Sequence, residues 1–279
     1  MPRLAVANTY VFPTLGAGGN FAVFGLTGTA TINEASTTSN VIVNGNEGFS
    51  SGDTVIALTS YTKVSGGIAE YSTGQISGVT TGVGGTIGVY TSEIGLVNAN
   101  VTAAASLMAG WTATTTVTGA IAGGSYTGTD TGVNVIDFTS TTAGSLTSNL
   151  ILDGNGNANS YFVVNISAAG LALNGYSLVL TNGATASHVI WNFIGTGGAI
   201  TTVAGDQING TIIAPLLSVT LSSTTLNGQL FSGKNITLTS GSVVNGTTPE
   251  APTLWLIGGA LIGLAFLSKR ARTSLPARG

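Results

Sequence analysis

The chain has 279 residues, of which 43% are apolar, 6% are Asp, Glu, Lys or Arg, and 42 are Gly. Low charge combined with this apolar fraction argues against intrinsic disorder. Residues 1–252, with three basic residues against ten acids, exclude a nucleic-acid interface built on Lys and Arg. The absence of Cys excludes disulfides and thiolate metal sites. The many small β-forming and turn-forming residues predict short strands joined by tight turns.

The N-terminus carries only a brief apolar stretch, from Leu4 to Ala7. A secretory signal peptide needs an apolar region of about 7–15 residues. Features described below indicate export, so either the true start of the protein lies upstream of Met1 or export uses another route. We expect the first.

One segment in the middle of the chain departs from the β pattern. It runs from Asn98 to Gly110 and is rich in Ala, which favours a helix. Asn98 or Asn100 can cap the N-terminus of such a helix, and Gly110 can end it. The sequence therefore predicts a helix over about 98–109 that covers part of the β-structure.

The residues that carry catalytic or metal chemistry are few and scattered. His188 is the only histidine, so we interpret it as structural rather than as a zinc ligand. The segment from Asp153 to Asn157 begins like a calcium loop, but the twelfth position, where an EF-hand has Glu, is Val164. We interpret this segment as a turn and expect no catalytic residue, no metal site and no cofactor.

An apolar residue followed by Asn and Gly recurs along the second half of the chain at steps close to 18 residues. The asparagines of this pattern are Asn174, Asn209, Asn227 and Asn245, and Asn192 falls at the step between the first two. A coil of about 18 residues divides into three short strands and three corners, as in a triangular β-helix. Asn and Gly suit corners because both tolerate left-handed backbone angles. We therefore predict an all-β solenoid with regular coils over about 150–246 and a structural column formed by the four asparagines.

A second column lies seven or eight residues before successive asparagines and consists of an apolar residue followed by Thr. Its members are Ile200-Thr201, Val219-Thr220 and Ile236-Thr237. Strand alternation points the apolar residue inward and the Thr outward. Thr is an ordinary exposed strand residue, but a flat row of hydroxyls and methyls can also order water as in ice. We take Thr201, Thr220 and Thr237 as a candidate face for ice or another ligand.

The C-terminal segment, residues 249–279, differs from the rest of the chain. An uncharged apolar run extends from Leu254 to Leu267, and the basic residues Lys269, Arg270 and Arg272 follow it. As a helix, this run would be roughly 21 Å long, shorter than the hydrocarbon core of about 30 Å. The basic cluster predicts a membrane stop that leaves the C-terminus in the cytoplasm and the body outside.

The start of this segment is similar to the PEP-CTERM sorting signals of bacteria, in which a Pro-Glu-Pro motif precedes an apolar helix and a basic cluster. Here the motif residues are Pro249, Glu250 and Pro252, with one additional residue before the second proline. The resemblance implies a sorting protease of the exosortase type as a partner.

The body resembles bacterial ice-binding-like proteins with a discontinuous β-helix, and also the choice-of-anchor A surface proteins. The resemblance rests on an ordered set of segments, namely Gly19 to Val23, the Ala-rich helix, Leu152 to Ala158, Ala186 to Asn192, and Asn209 to Pro215. It implies a right-handed parallel β-helix with one helix packed along it. We therefore expect a β-helix domain over residues 1–248 and a sorting segment over 249–279.

These features favour an exported, non-enzymatic β-solenoid at a bacterial cell surface or in the extracellular matrix. Our first hypothesis is a structural or adhesive protein, anchored to the membrane by its C-terminus and associated with extracellular polysaccharide. The alternative is an ice-binding or ice-adhesion protein that uses the threonine face. The third is a carbohydrate-active enzyme, which would need a groove of clustered carboxylates.

Overall fold

The computed structural model describes residues 10–26, 31–35, 41–49, 54–57, 62–65, 68–70, 86–88, 92–129, 132–239 and 241–246. These residues form three parallel β-sheets and one α-helix. From Phe21 to Glu70 and from Gly124 to Asn245, successive strands belong to successive sheets, so that the chain winds around a triangular core. The prediction of a parallel β-helix with a helix packed along it is confirmed.

We name the three sheets face A, face B and face C and give their strands in spatial order. Face A contains β8 (Thr86–Gly88), β7 (Ile68–Glu70), β4 (Asn46–Phe49), β1 (Phe21–Gly25), β23 (Leu230–Ser232), β20 (Thr211–Ala214), β17 (Val189–Phe193), β14 (Tyr161–Ile166), β11 (Val133–Phe138) and β9 (Thr115–Val117). Face B contains β12 (Gly144–Ser145), β15 (Leu171–Ala172), β18 (Ala199–Thr201), β21 (Ser218–Ser222), β24 (Ile236–Thr239), β2 (Thr31–Ala35) and β5 (Thr54–Ala57). Face C contains β10 (Gly124–Thr127), β13 (Leu150–Asp153), β16 (Leu178–Thr181), β19 (Gln207–Asn209), β22 (Thr225–Asn227), β25 (Val243–Asn245), β3 (Val41–Asn44) and β6 (Thr62–Ser65).

The coils differ in length. The coil from Asn209 to Asn227 contains 18 residues, whereas the coil from Asn165 to Asn192 contains 27. The prediction of regular coils over about 150–246 is therefore wrong for the earlier coils. Their corners hold extra residues, such as the short 3-10 helix Ala186–His188 before β17.

The stacking order of the coils does not follow the chain. Strand β1 pairs in parallel with β23, with Val23 opposite Leu230 and Phe24 opposite Phe231. Strands β2 and β3 pair in the same way with β24 and β25. The N-terminal coil therefore continues the stack beyond the C-terminal coil, and the contact between the two is entirely non-covalent.

The α-helix α1, Ser92–Ala109, leads from the N-terminal coils to β9 at the opposite end of the stack. It begins at Ser92, before the predicted start at Asn98. Its buried side chains include Val101 and Met108, which pack against face A in one cluster with Ile190 and Phe231. A 3-10 helix, Gly16–Asn20, also packs on α1.

Six strands of face A are buried on both sides, namely β1, β11, β14, β17, β20 and β23. Burial on both sides explains why these strands read as nearly continuous apolar runs. In β14, Phe162, Val164 and Ile166 point into the lumen, and Val163 belongs to the cluster beneath α1. Strands on faces B and C alternate instead between buried and partly exposed residues. Within the described residues, no helix is long and apolar enough to cross a membrane. The run from Leu254 to Leu267 lies outside them.

Candidate functional site on face B

Three threonines form a row on the outer surface of face B. Thr201 of β18 lies opposite Thr220 of β21, and Thr220 lies opposite Thr237 of β24. Adjacent strands of a sheet are about 4.8 Å apart, which sets the spacing of the row. The preceding residue in each strand is an aliphatic side chain in the lumen with at most 1% exposure, namely Ile200, Val219 and Ile236. The strand alternation predicted from the sequence thus presents the three threonines outward.

A second row of hydroxyls lies two residues further along the strands. Ser222 of β21 is opposite Thr239 of β24, and both are partly exposed. A two-residue repeat along a strand spans about 6.7 Å, so the two rows form an array that is regular in two directions. Sequence reasoning missed this row, although the alternation Val-Thr-Leu-Ser and Ile-Thr-Leu-Thr contains it. We call Thr201, Thr220, Ser222, Thr237 and Thr239 the hydroxyl array.

Buried hydrogen bonds hold the corner between face B and face C beneath the array. Thr202 and Thr224 are buried there and share a short hydrogen bond between their hydroxyls. The N–H of Ser222 donates to Thr202 Oγ1 at 2.9 Å, and the hydroxyl of Ser242 donates to Leu221 O at 2.9 Å. Because each group bonds to a neighbouring coil or corner, the backbone that carries the array has little freedom to shift.

The array is electrically neutral. The face B strands β12, β15, β18, β21 and β24 contain no Asp, Glu, Lys, Arg or His. The row of Thr237, Thr220 and Thr201 continues on the neighbouring strands through Ala172 and Ser145. In the part of the chain that the structure describes, no group of three or more His, Asp or Glu residues could hold a metal ion.

The asparagine column lies on face C. Asn227 Nδ2 donates to Asn209 Oδ1 at 2.9 Å, and Asn245 Nδ2 donates to Asn227 Oδ1 at 2.9 Å. Asn44 Nδ2 extends the series by donating to Asn245 Oδ1 at 2.6 Å. Asn209 Nδ2 closes it with a bond of 2.9 Å to Leu178 O. We call these four asparagines the amide ladder.

Two asparagines assigned to the column lie elsewhere. Asn174 occupies a turn between β15 and β16 with a φ of +55°, and its Nδ2 donates to Ser145 Oγ at 2.7 Å. The prediction is wrong there because β16 is in register with β19 through Leu178, four residues after Asn174. Asn192 lies on face A, where its Nδ2 donates to Ala105 O of α1 at 3.0 Å.

The other residues singled out in the sequence, His188 and the segment that begins at Asp153, have structural roles. His188 is buried and its ring lies 4.2 Å from that of Tyr161. Asp153 accepts the N–H of Asn155 at 2.7 Å and the Nδ2 of Asn182 at 2.6 Å, which makes the segment a turn bonded to the next coil. The residues Pro249, Glu250, Pro252, Lys269, Arg270 and Arg272 lie outside the described part of the chain.

Three solved structures show the same fold. The ice-binding protein of the Antarctic ascomycete Antarctomyces psychrotrophicus is 21% identical, with a TM-score of 0.58 over 87% of this chain and 100% of that one. The DUF3494 domain of Shewanella frigidimarina ice-binding protein 1 is 20% identical, with a TM-score of 0.56 over 87% and 100%. An ice-binding protein of an Antarctic Flavobacteriaceae bacterium is 23% identical, with a TM-score of 0.59 over 84% of this chain and 47% of that one.

A search of the curated proteins finds no match. The model of the ice-binding-like adhesive domain matches residues 3–245, which is most of the chain and all of the β-helix described above. The chain therefore belongs to the ice-binding-like adhesive domain family.

Proposed function

We propose that this protein adheres to ice through the hydroxyl array on face B. The observation that carries the proposal is the alignment of Thr201, Thr220 and Thr237 on three successive strands. The solved proteins of the same fold are described as ice-binding, which favours ice over polysaccharide, our first hypothesis. The function requires no catalytic residue.

The chemistry of the array fits an ordered water surface. Each Thr supplies a hydroxyl, which both donates and accepts, and a methyl, which water must cage. The β-helix fixes the spacing in two directions, about 4.8 Å across strands and about 6.7 Å along them. Since the backbone is already ordered, little conformational entropy is lost on contact with a solid.

The direct test is an ice-recrystallisation and thermal-hysteresis assay on the full-length protein and two variants. In the first variant, Thr201, Thr220 and Thr237 are all changed to Lys. In the matched control, Thr225→Lys places the same residue on β22 of face C, where Thr225 is also partly exposed. We expect the triple variant to lose activity and the control to keep it. Equal activity in all three folded proteins, or none in the wild type, would refute the proposal.

We also propose that residues 249–279 hold the domain at the outside of a bacterial membrane, where an exosortase-like protease recognises Pro249, Glu250 and Pro252. Support comes from the apolar run and from the adhesive character of the family. Deletion of residues 249–279 is expected to move the protein from the membrane fraction to the soluble fraction. Identical partitioning of the two forms would contradict the anchor.

A further inference from the structure

The chain contains seven Asn-Gly dipeptides, and the structure separates them into two classes. Their asparagines are Asn44, Asn155, Asn174, Asn182, Asn209, Asn227 and Asn245. In this dipeptide the glycine nitrogen is poorly shielded, because glycine has no side chain. It can attack the side-chain carbon Cγ of the preceding asparagine, which is the first step of spontaneous deamidation.

The first class is the amide ladder, where both reacting groups are held. Each side-chain amide is fixed by its bond to the asparagine of the next coil or, for Asn209, to Leu178 O. The glycine nitrogen is also occupied in the C-terminal coils. Gly210 N–H donates to Asn227 O, and Gly228 N–H donates to Asn245 O, both at 2.9 Å. Attack therefore requires that the coils separate.

The second class consists of exposed turns. Asn155, Asn174 and Asn182 have left-handed φ values of +55°, +55° and +48° and are exposed, as are the glycines that follow them. Among the described residues, the N–H groups of Gly175 and Gly183 find no hydrogen-bond acceptor. Gly156 N–H, in contrast, donates to Asn182 O at 2.8 Å.

We propose that Asn174 and Asn182 are sites of spontaneous deamidation in the folded protein, while the amide ladder is protected. The nitrogen of Gly175 or Gly183 forms a bond to Cγ, the Cγ–Nδ2 bond breaks, and ammonia leaves with the proton from the glycine N–H. Water then opens the succinimide ring at either carbonyl, giving aspartate or isoaspartate. Each event replaces a neutral amide by a carboxylate.

The consequences differ between the two sites because their partners differ. Asn182 Nδ2 donates to Asp153 Oδ2 at 2.6 Å, so deamidation replaces this hydrogen bond by two facing carboxylates. Asn174 Nδ2 donates to Ser145 Oγ at 2.7 Å, and a hydroxyl can instead donate to a carboxylate. Asn174 follows β15, whose Ala172 lies in the same row as Thr201, so the new charge lies beside the uncharged strands β12, β15 and β18 of face B.

The first experiment measures deamidation of the full-length protein at mildly alkaline pH by peptide mass mapping that separates aspartate from isoaspartate. We expect Asn174 and Asn182 to react at least about tenfold faster than Asn209 and Asn227. A tenfold ratio corresponds to a free energy of about 1.4 kcal/mol for separating the coils at the ladder before attack can occur. Asn155 is an internal control with the same turn but a bonded glycine nitrogen, and it should react more slowly than Asn174. In denaturant, all seven sites should react at similar rates. Equal rates for the turn and ladder sites in the folded protein would overturn the proposal.

The second experiment tests the consequence at each site. Asn182→Asp should lower the unfolding midpoint by about 2–4 °C or more, and Asp153→Asn should restore it by removing one of the two carboxylates. The matched variant Asn174→Asp, which retains a hydroxyl donor in Ser145, should leave the midpoint nearly unchanged. Equal shifts for Asn182→Asp and Asn174→Asp would contradict the difference inferred from their partners.

Discussion

Asn44 and Asn245, which are 201 positions apart in the sequence, are joined side chain to side chain by a hydrogen bond of 2.6 Å. The bond continues the amide ladder across the junction between the N-terminal and C-terminal coils. Because no covalent link crosses this junction, the ladder and the paired strands hold the N-terminal coil in place together with its apolar packing under α1. The junction is therefore a place where single polar groups should matter for stability.

Removal of an asparagine amide should lower the free energy of unfolding more within the amide ladder than outside it. Asn227→Ala removes one bond in each direction, to Asn209 and to Asn245, and leaves one amide without its donor and another without its acceptor. We expect a loss of about 1–3 kcal/mol in the free energy of unfolding. Asn174→Ala, in an exposed turn, is the control and should cost less. Denaturant melts of both variants make the comparison, and equal costs would show that the ladder is not stabilising.

Gln229 makes a second polar contact across the same junction. The two hydrogens of its Nε2 are shared among Gly18 O, Gly19 O and Phe21 O, which lie at 3.2, 3.1 and 2.5 Å, and its side chain is buried. Gln229→Ala removes this donor from the junction, although Gly18 O still accepts the N–H of Phe21. We therefore expect the N-terminal coil to open more often. Hydrogen exchange in β1 should accelerate, while exchange in β14, far from the junction, should not change. Uniform acceleration in both strands would indicate global destabilisation instead.

The hydrogen bonds from Asn165 and Asn192 of face A to α1 give a third prediction. Asn192 Nδ2 donates to Ala105 O at 3.0 Å and to Asn165 Oδ1 at 2.8 Å, and Asn165 Nδ2 donates to Met108 O at 2.9 Å. Met108 O is one of the last four carbonyls of α1, which have no partner within the helix, and it also accepts the N–H of Trp111 at 3.1 Å. Ala105 O lies one residue before these four, so the bond from Asn192 ties the last turn of α1 to face A. Asn165→Ala is expected to destabilise the fold by about 1–3 kcal/mol and to increase hydrogen exchange at the C-terminal end of α1. Unchanged exchange there would refute the role of Asn165.

The sequence predicts those parts of the fold that depend on residues close together in the chain, and it does not predict pairings between distant segments. The last coils have short corners, so Asn209, Asn227 and Asn245 repeat at a constant step and are found by counting. The triplet Val43-Asn44-Gly45 carries the same pattern, but its coil is placed beside β25 by tertiary stacking rather than by chain order. Sequence spacing alone could not connect it to the ladder.

Asn174 shows the opposite error. It has the apolar-Asn-Gly pattern and nearly the expected spacing, but it lies in a turn with a φ of +55°, because an earlier coil has a longer corner. Asn-Gly is favoured both in turns and at solenoid corners, so the dipeptide does not distinguish them. The first row of the hydroxyl array, Thr201, Thr220 and Thr237, could be predicted because alternation along a strand is a local property and each Thr follows a buried aliphatic residue. The second row, Ser222 and Thr239, follows from the same alternation but was not predicted.

The last prediction separates the fold from the surface that it presents, using two adjacent residues of β24. Ile236 is fully buried in the lumen, and Thr237 lies in the hydroxyl array. Ile236→Ala should lower the free energy of unfolding by about 2–5 kcal/mol, because the substitution removes buried apolar surface and leaves a cavity. Thr237→Ala should change it by no more than about 0.5 kcal/mol, as is usual for an exposed position.

Denaturant melts of the two variants, paired with the ice-recrystallisation assay, give four readings from one strand. If the array binds ice, Thr237→Ala reduces activity while the protein stays as stable as the wild type. Ile236→Ala, assayed at a temperature where it is fully folded, keeps its activity because its outer surface is unchanged. Equal destabilisation by both substitutions would mean that the two residues do not face opposite sides of β24. A loss of activity in Ile236→Ala alone would show that activity depends on the lumen and not on the array.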